Sequence, residues 1–402
     1  MGDICEPTDD LLAEMVAPYL KAQPRGLGFA IGYASPCFAN YGRVRVFGNV
    51  QNQFGADLCL SAQTPFEIAS ITKTFTAALY ARLIRSVNPN QTVADYIRPK
   101  GPFSNEKLGR IPLDSLVNYT SGLPRDNDDA GARAVSPPYS SRPYSLQGMV
   151  SFLNNWQPNL RLPSEEYSYS NLAFAIMSAI IASDGTDALP AVHAFTGKMR
   201  EYVFRPLGMP AAFFNHVDLG RLPLGFQYKR GSSDHKAIEP GHPLFPAYFG
   251  EAGIVATPDD MLKWLLFNMG ITQDAGLSPL LPALHRPSTK VTSDPQETDV
   301  AYQLGLGWFI TPACDGRLVP ICKDGELDGF ASYIAFLPSS DPGKVASQAG
   351  AFVLVNADGI TKDGNDIALV ITNDLLTYMQ NKPLPADKSA YPRSPRSVAG
   401  RA

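Results

Sequence analysis

The stretch Pro65–Leu79, PFEIASITKTFTAAL, decides how this chain is read, and within it the four residues Ser70-Ile71-Thr72-Lys73. Ile71, Phe75, Ala78, Leu79 and Leu83 recur at i, i+4, i+7, i+8 and i+12, an apolar stripe that predicts a helix. On a helix, the three-residue spacing stacks Ser70 and Lys73 on one face about one turn apart. Ser70 then lies in the first turn, where free backbone N–H groups and the helix dipole favour developing negative charge. A serine hydroxyl becomes a nucleophile only when a base takes its proton, and a desolvated lysine can lose its own proton and serve. The same four residues also describe an N-capping serine over a core helix with a solvated lysine. The pattern recurs at Ser104–Lys107 and Ser233–Lys236, in polar, turn-rich surroundings with no apolar period behind them, and these read as surface matches.

The 402-residue chain is long enough for two or three domains, and its 45% hydrophobic and 18% charged residues are those of a globular protein. With a formal net charge of −4 and no basic stripe, no nucleic-acid partner is expected. No apolar run reaches the roughly twenty residues that a membrane span needs. The start, MGDICEPTDDLL, has neither a basic nor an apolar leader segment. This implies a cytoplasmic protein if Met1 is the native start, and a periplasmic or secreted one if the chain has been processed. The five cysteines leave at least one unpaired within a monomer. Cys314 and Cys322, flanking an Asp315-Gly316 turn signal, could bridge in an oxidising compartment. No Cys or His spacing suits a metal, and no cofactor is expected.

Taken in order, Thr8–Ala22 reads as an opening helix capped by Thr8, and Gly26–Ser35 and Gly42–Gly48 as strands. Short helices follow at Val93–Ile97 and Leu113–Asn118, then the turn Tyr119–Pro124 and a polar loop over Asp126–Pro143. Ser145–Trp156, Leu172–Ala182 and Leu189–Leu207 read as helices, the second apolar all round and therefore buried. Thr257 caps a helix to Met269. Strands return at Gly305–Ile310, Leu318–Cys322, Ala331–Leu337 and Ala351–Asn356, before a closing helix Ile367–Gln380. Strands at both ends around a helical middle predict an α+β fold, an antiparallel sheet flanked by helices plus an inserted mainly helical domain. The expected boundaries are 1–85 with 290–380 for the sheet domain and 86–289 for the insert, with the site in the cleft between them. A disordered tail is expected over 381–402.

Two further pieces carry chemistry. Tyr169-Ser170-Asn171 stands just before the buried helix, where a phenol can act as a proton shuttle if a nearby ammonium lowers its pKa. A tyrosine packed on the core with its hydroxyl in water fits the same letters. Lys323-Asp324-Gly325 lies between the strands LVPIC and FASYIAFLP and could set a cation and an N–H group beside a substrate carbonyl. It also reads as a solvated hairpin turn, and Lys-x-Gly recurs at Lys229–Gly231 and Lys362–Gly364.

In the order Ser-x-x-Lys, Tyr-x-Asn, Lys-x-Gly, these pieces resemble the three motifs of the penicillin-recognising serine enzymes, above all class C β-lactamases and their esterase, peptidase and acyltransferase relatives. SGLPRD, GEAGIVATPDDMLKWL, YQLGLGWFI and DGFASYIAFLP are similar to the same family, so the likeness runs from about Gly26 to Met379. The resemblance implies a serine hydrolase that cleaves ester or amide bonds through an acyl-enzyme at Ser70. Lys73 and Tyr169 would share the base role, and Asn171 would position Lys73 or a substrate amide. The backbone N–H groups of Ser70 and Glu326 would form the oxyanion hole. Lys323, Asp324, Gly325 and Asp126 would face the substrate, with Lys323 keeping the Tyr169 pKa low. An acyltransferase, a thioesterase or a D-amino-acid peptidase could use the same site, and a non-catalytic penicillin-binding module could keep the fold. The partner expected is a small-molecule or peptide acyl substrate. The family usually has a small hydroxyl residue where Asp324 stands, and an amide near Asp126. A carboxylate at 324 opposes a substrate carboxylate, so weak β-lactam turnover and a preference for neutral or cationic substrates are expected.

Overall fold

The structure is a computed structural model that describes residues 4–22, 25–97, 104–123, 125, 153–155, 167–182, 191–213, 217–228, 235–238, 249–287, 303–311, 320–327, 329–338, 349–362, 365–388 and 391. The loop expected over Asp126–Pro143, almost all of the helix expected over Ser145–Trp156, and Asp126 and Cys314 lie outside the described residues.

Helix α1 (Asp9–Ala22) opens the chain, with the Thr8 hydroxyl accepting from the Leu11 N–H at 3.2 Å. Strands β1 (Gly28–Ala34) and β2 (Gly42–Gly48) follow, and then α2 (Thr72–Tyr80), which continues from a tight 3₁₀ turn at Ala69–Ile71. Helices α3 (Asn171–Ala182) and α4 (Pro258–Asn268) lie in the middle of the chain. The last third supplies β3 (Gln303–Leu304), β4 (Phe309–Ile310), β5 (Ile321–Leu327), β6 (Phe330–Leu337) and β7 (Ala349–Val355), then α5 (Ile367–Met379).

One seven-stranded sheet joins the two ends of the chain in the order β3-β4-β5-β6-β7-β1-β2, every pairing antiparallel. The N-terminal hairpin adds to the edge of the C-terminal strands, Ile31 opposite Val353 and Tyr33 opposite Ala351. Every residue of β1, β6 and β7 is buried, so helices cover both faces and the strands lack polar–apolar alternation. The covering helices are α4 on β1, β2 and β7, α5 on β6 and β7, and α1 on β1 and β2.

Two expectations change. The alternative reading of a solvated Lys73 does not hold, since every residue from Ile71 to Ala81 is buried. The polar side chains of α2 are satisfied inside: the Thr74 hydroxyl donates to the Ile71 carbonyl (2.7 Å), and Trp264 Nε1 donates to Thr74 Oγ1 (3.1 Å). Small hydroxyl residues that bond to backbone or indole can face a core. The tail is not free from Asn381 onward either. Lys388 Nζ donates to Asp374 Oδ1 at 2.8 Å, and the Tyr391 hydroxyl donates to the same oxygen at 2.6 Å, pinning this stretch to α5.

Candidate active site

Ser70 is the half-buried residue at the mouth of an otherwise buried helix. The residue before it, Ala69, holds φ +50°, a left-handed conformation that costs an alanine about 1–3 kcal/mol unless its surroundings enforce it. The enforcing contact is Gly325 on β5. A Cβ there would stand 2.4 Å from the Ile68 carbonyl oxygen and 3.1 Å from the Ala69 Cβ, so only glycine lets β5 press against this turn. Ser332, opposite Gly325 in the β5–β6 register, donates its hydroxyl to the Ile68 carbonyl at 2.9 Å. The Gly325–Glu326 backbone therefore runs beside the serine.

On its other flank, α2 is laced to the segment Gly250–Ile254. Thr76 Oγ1 donates to the Gly250 carbonyl (2.6 Å), Lys73 Nζ to the Glu251 carbonyl (3.0 Å), and the Ile254 N–H to Thr72 Oγ1 (3.1 Å). Lys73 has no exposed surface and also donates to Ser70 Oγ at 3.0 Å, with Glu251 Oε2 3.6 Å from the ammonium nitrogen. Sequence reasoning passed over Glu251; its signal is an acidic residue between Gly250 and Gly253, directly before an apolar strand.

Tyr169 comes from the other side. Ser170 caps α3 by accepting from the Ala173 N–H (3.0 Å), and the Asn171 N–H donates to the Arg125 carbonyl (2.7 Å). Ser168 is held to the Tyr119 and Leu123 carbonyls. The SGLPR loop thus fixes the residues around Tyr169, whose hydroxyl donates to Ser70 Oγ at 2.8 Å. Its ring stacks on Tyr119 at 5.5 Å between centroids, with Lys73 Nζ at 5.0 Å, Lys323 Nζ at 5.3 Å and the Arg125 guanidinium carbon at 5.5 Å from its own centroid.

Lys323, Asp324 and Gly325 lie inside β5, not in a turn: Lys323 pairs with Ile334 and Asp324 with Tyr333, and the chain reverses at Gly329 (φ +92°). Lys323 Nζ is fully buried and donates to its neighbour's carboxylate, Asp324 Oδ1, at 2.9 Å and to the Asp324 carbonyl at 2.8 Å. The expectation that Lys323 lowers the Tyr169 pKa fails for this reason. Burial, then the Asp324 carboxylate, push the phenol well above its ordinary value; the Ser70 hydrogen bond and Arg125 only partly oppose them, and Glu251 adds to the rise.

The structure thus brings Ser70, Lys73, Tyr169, Lys323, Asp324 and Gly325 together. Glu326 follows half-buried on β5, and Asn171 stands half-buried at the start of α3. Asp126 lies outside the described residues. Cys322 is a buried free thiol, pushed up to about 12 chiefly by burial. Among the described residues no cluster of His, Cys, Asp and Glu could hold a metal, and no helix is long and apolar enough to cross a membrane.

The Beta-lactamase family profile matches residues 40–374. The chain belongs to this family of serine hydrolases. Among curated relatives it is 26% identical to the D-alanyl-D-alanine-carboxypeptidase/endopeptidase AmpH of Escherichia coli K12, over 86% of this chain and 83% of AmpH. It is 27% identical to the unguisins hydrolase ungD' of Aspergillus campestris, over 70% of this chain and 51% of that protein. Among solved structures, a β-lactamase/D-alanine carboxypeptidase from Pseudomonas syringae superposes with a TM-score of 0.66 at 19% identity, covering 94% of this chain and 99% of that one. The fold is the β-lactamase/transpeptidase-like one.

Proposed function

We propose that this serine hydrolase forms an acyl-enzyme on Ser70 and cleaves peptide amides or esters that carry no carboxylate beside the scissile bond. The observation that carries the reading is the shared serine oxygen, with Lys73 Nζ at 3.0 Å and the Tyr169 hydroxyl at 2.8 Å. Both lie within reach for proton transfer. The high Tyr169 pKa keeps the phenol protonated, which suits it to giving a proton to the leaving group. Lys73, as the free amine, is then the group that receives the Ser70 proton.

In acylation, the Ser70 Oγ–carbon bond forms while the substrate's carbon–nitrogen or carbon–oxygen bond breaks. The Ser70 proton passes to Lys73, and the leaving group takes one from Tyr169, which Lys73 restores. Water then attacks the ester, losing its proton to the same pair, and Ser70 regains its hydrogen. The N–H groups of Ser70 and Glu326 would hold the oxyanion, a role supported by the close passage of Gly325 along the Ile68–Ala69 turn. Ser70, Lys73 and Lys323 come from the expected sheet domain (1–85 and 290–380), Tyr169, Asn171 and Glu251 from the expected insert (86–289). This supports a site in the cleft between them.

The Lys323–Asp324 pair carries the substrate preference. A carboxypeptidase substrate ends in a carboxylate next to the bond that breaks, whereas an endopeptidase substrate does not. Because Asp324 already occupies the Lys323 ammonium, the reading favours the endopeptidase half of the AmpH description and disfavours β-lactams. The test is intact-protein mass spectrometry after a fluorophosphonate and after a chromogenic cephalosporin. Ser70 should carry the phosphonyl group, the cephalosporin should leave no lasting adduct, and Ser70→Ala should take neither label nor turn over esters. Full ester turnover in Ser70→Ala ends the proposal.

A further inference from the structure

Glu251 belongs to none of the three motifs, yet it makes two contacts with Lys73. Its backbone carbonyl accepts from the buried ammonium at 3.0 Å, and its carboxylate oxygen Oε2 lies at 3.6 Å. With Ser70 Oγ also accepting at 3.0 Å, the ammonium donates to two oxygens, and the Glu251 carboxylate stands just beyond hydrogen-bond distance as its ion-pair partner. The Glu251 side chain is itself only 17% exposed, so water screens the pair weakly. From this geometry we infer that Glu251 is a positioning residue that holds Lys73 as an ammonium ion against Ser70, and so sets the pH at which the free amine becomes available as base.

The other groups around Lys73 do not substitute for this carboxylate. The Tyr169 and Phe174 rings face the ammonium at 5.0 and 5.5 Å, and Tyr169 stays protonated. Lys323 Nζ lies 5.3 Å from the Tyr169 ring centroid and bonds to Asp324. Arg125 is on that ring too. On the elements packed against α2, Arg82 pairs with Asp274 at 3.5 Å, Arg85 with Asp114 at 3.0 Å, and Lys198 donates to the Ile181 carbonyl at 2.7 Å. Arg200 and Glu201 are exposed, and Tyr202 lies against Arg82.

The sign follows from the charges. An anion beside a buried cation favours the charged form, and burial alone favours the neutral amine. In Glu251→Gln the backbone carbonyl contact remains and the charge is gone, so Lys73 should deprotonate at lower pH. The inference rests on Ser70 and Lys73 as the reacting pair, and the test separates the two ideas. Protein labelled with ¹³Cε-lysine is titrated by NMR, the Lys73 resonance being assigned by its loss in Lys73→Arg. The midpoint should fall in Glu251→Gln by about one to three pH units. The acidic limb of the fluorophosphonate labelling rate should move the same way, and Glu251→Asp should restore most of the wild-type midpoint. Glu251→Ala serves as a second variant, with the same fall expected. An unchanged Lys73 midpoint in folded Gln and Ala variants overturns the inference even where Ser70→Ala is inactive. Activity surviving in Ser70→Ala overturns the nucleophile reading and leaves the lysine titration to be judged by itself.

Discussion

Replacing Asp324 with Thr tests the substrate reading directly, because it changes one charge on a strand whose neighbours stay in place. Asp324 is 7% exposed and pairs with Tyr333 in the β5–β6 register, and its carboxylate sits 2.9 Å from Lys323 Nζ. A substrate carboxylate brought to Lys323 would meet this second anion at roughly 6 Å. At an effective dielectric of 20–40, 332/(ε·r) puts that repulsion at about 1.4–2.8 kcal/mol, or about ten- to hundredfold in recognition. The variant also frees the Lys323 ammonium for the incoming anion. The assay is kcat/KM for a matched pair of acyl donors, one with a carboxylate beside the scissile bond and one with its methyl ester, in low salt. The ratio of acid to ester should rise about ten- to hundredfold in Asp324→Thr, mostly through KM, with the methyl ester changed little. Adding salt should shrink the effect only modestly, since Lys323 is fully buried. Equal changes for the two donors would refute the reasoning and return Asp324 to a structural role.

The remaining predictions concern packing and protons. Gly325→Ala should lower turnover at least tenfold and cost about 1–3 kcal/mol in urea unfolding, because the new Cβ meets the Ile68 carbonyl and the Ser332 hydroxyl, each at 2.4 Å. Lys388→Met leaves the buried Asp374 carboxylate without its cation and should cost about 3–5 kcal/mol, read as a lower urea midpoint and faster proteolysis near residue 388. Burial holds His285 down at about 3, so the folded ring stays neutral while the unfolded chain takes a proton below about 6.5. Stability should therefore fall as pH drops from about 6.5 toward 3, and His285→Leu should flatten that slope in acid titrations of the unfolding midpoint. Tyr80, Tyr119, Tyr169 and Tyr391 are all held above the usual phenol range, by burial in the first place. The unfolded chain loses these protons near pH 10 and the folded one does not, so stability should fall as pH rises past about 10. Absorbance at 295 nm should show those phenolates appearing only with unfolding.

The order of elements and the three motifs were legible because each depends on local chemistry: Thr8 and Thr257 mark caps, and β1, β6 and β7 are runs rich in apolar residues. What escaped depends on contacts between distant segments. Thr72, Thr74 and Thr76 make α2 look half-solvated to a periodicity argument, and only their partners at Ile254, Ile71 and Gly250 show that the helix is buried all round. The same limit explains Lys323. A family-based argument assigns its charge to Tyr169, but the adjoining Asp324 takes that charge along the strand edge, and the phenol is left with burial and two nearby carboxylates. Glu251 reverses the assignment from the other side, 178 residues beyond Lys73, by setting an anion against the second lysine. Each lysine therefore lies beside its own carboxylate, Lys323 at 2.9 Å from Asp324 and Lys73 at 3.6 Å from Glu251, and both carboxylates push the Tyr169 phenol up. On the proposed reading, that arrangement would leave the phenol as the proton donor and make the Glu251–Lys73 pair the place where the base is prepared.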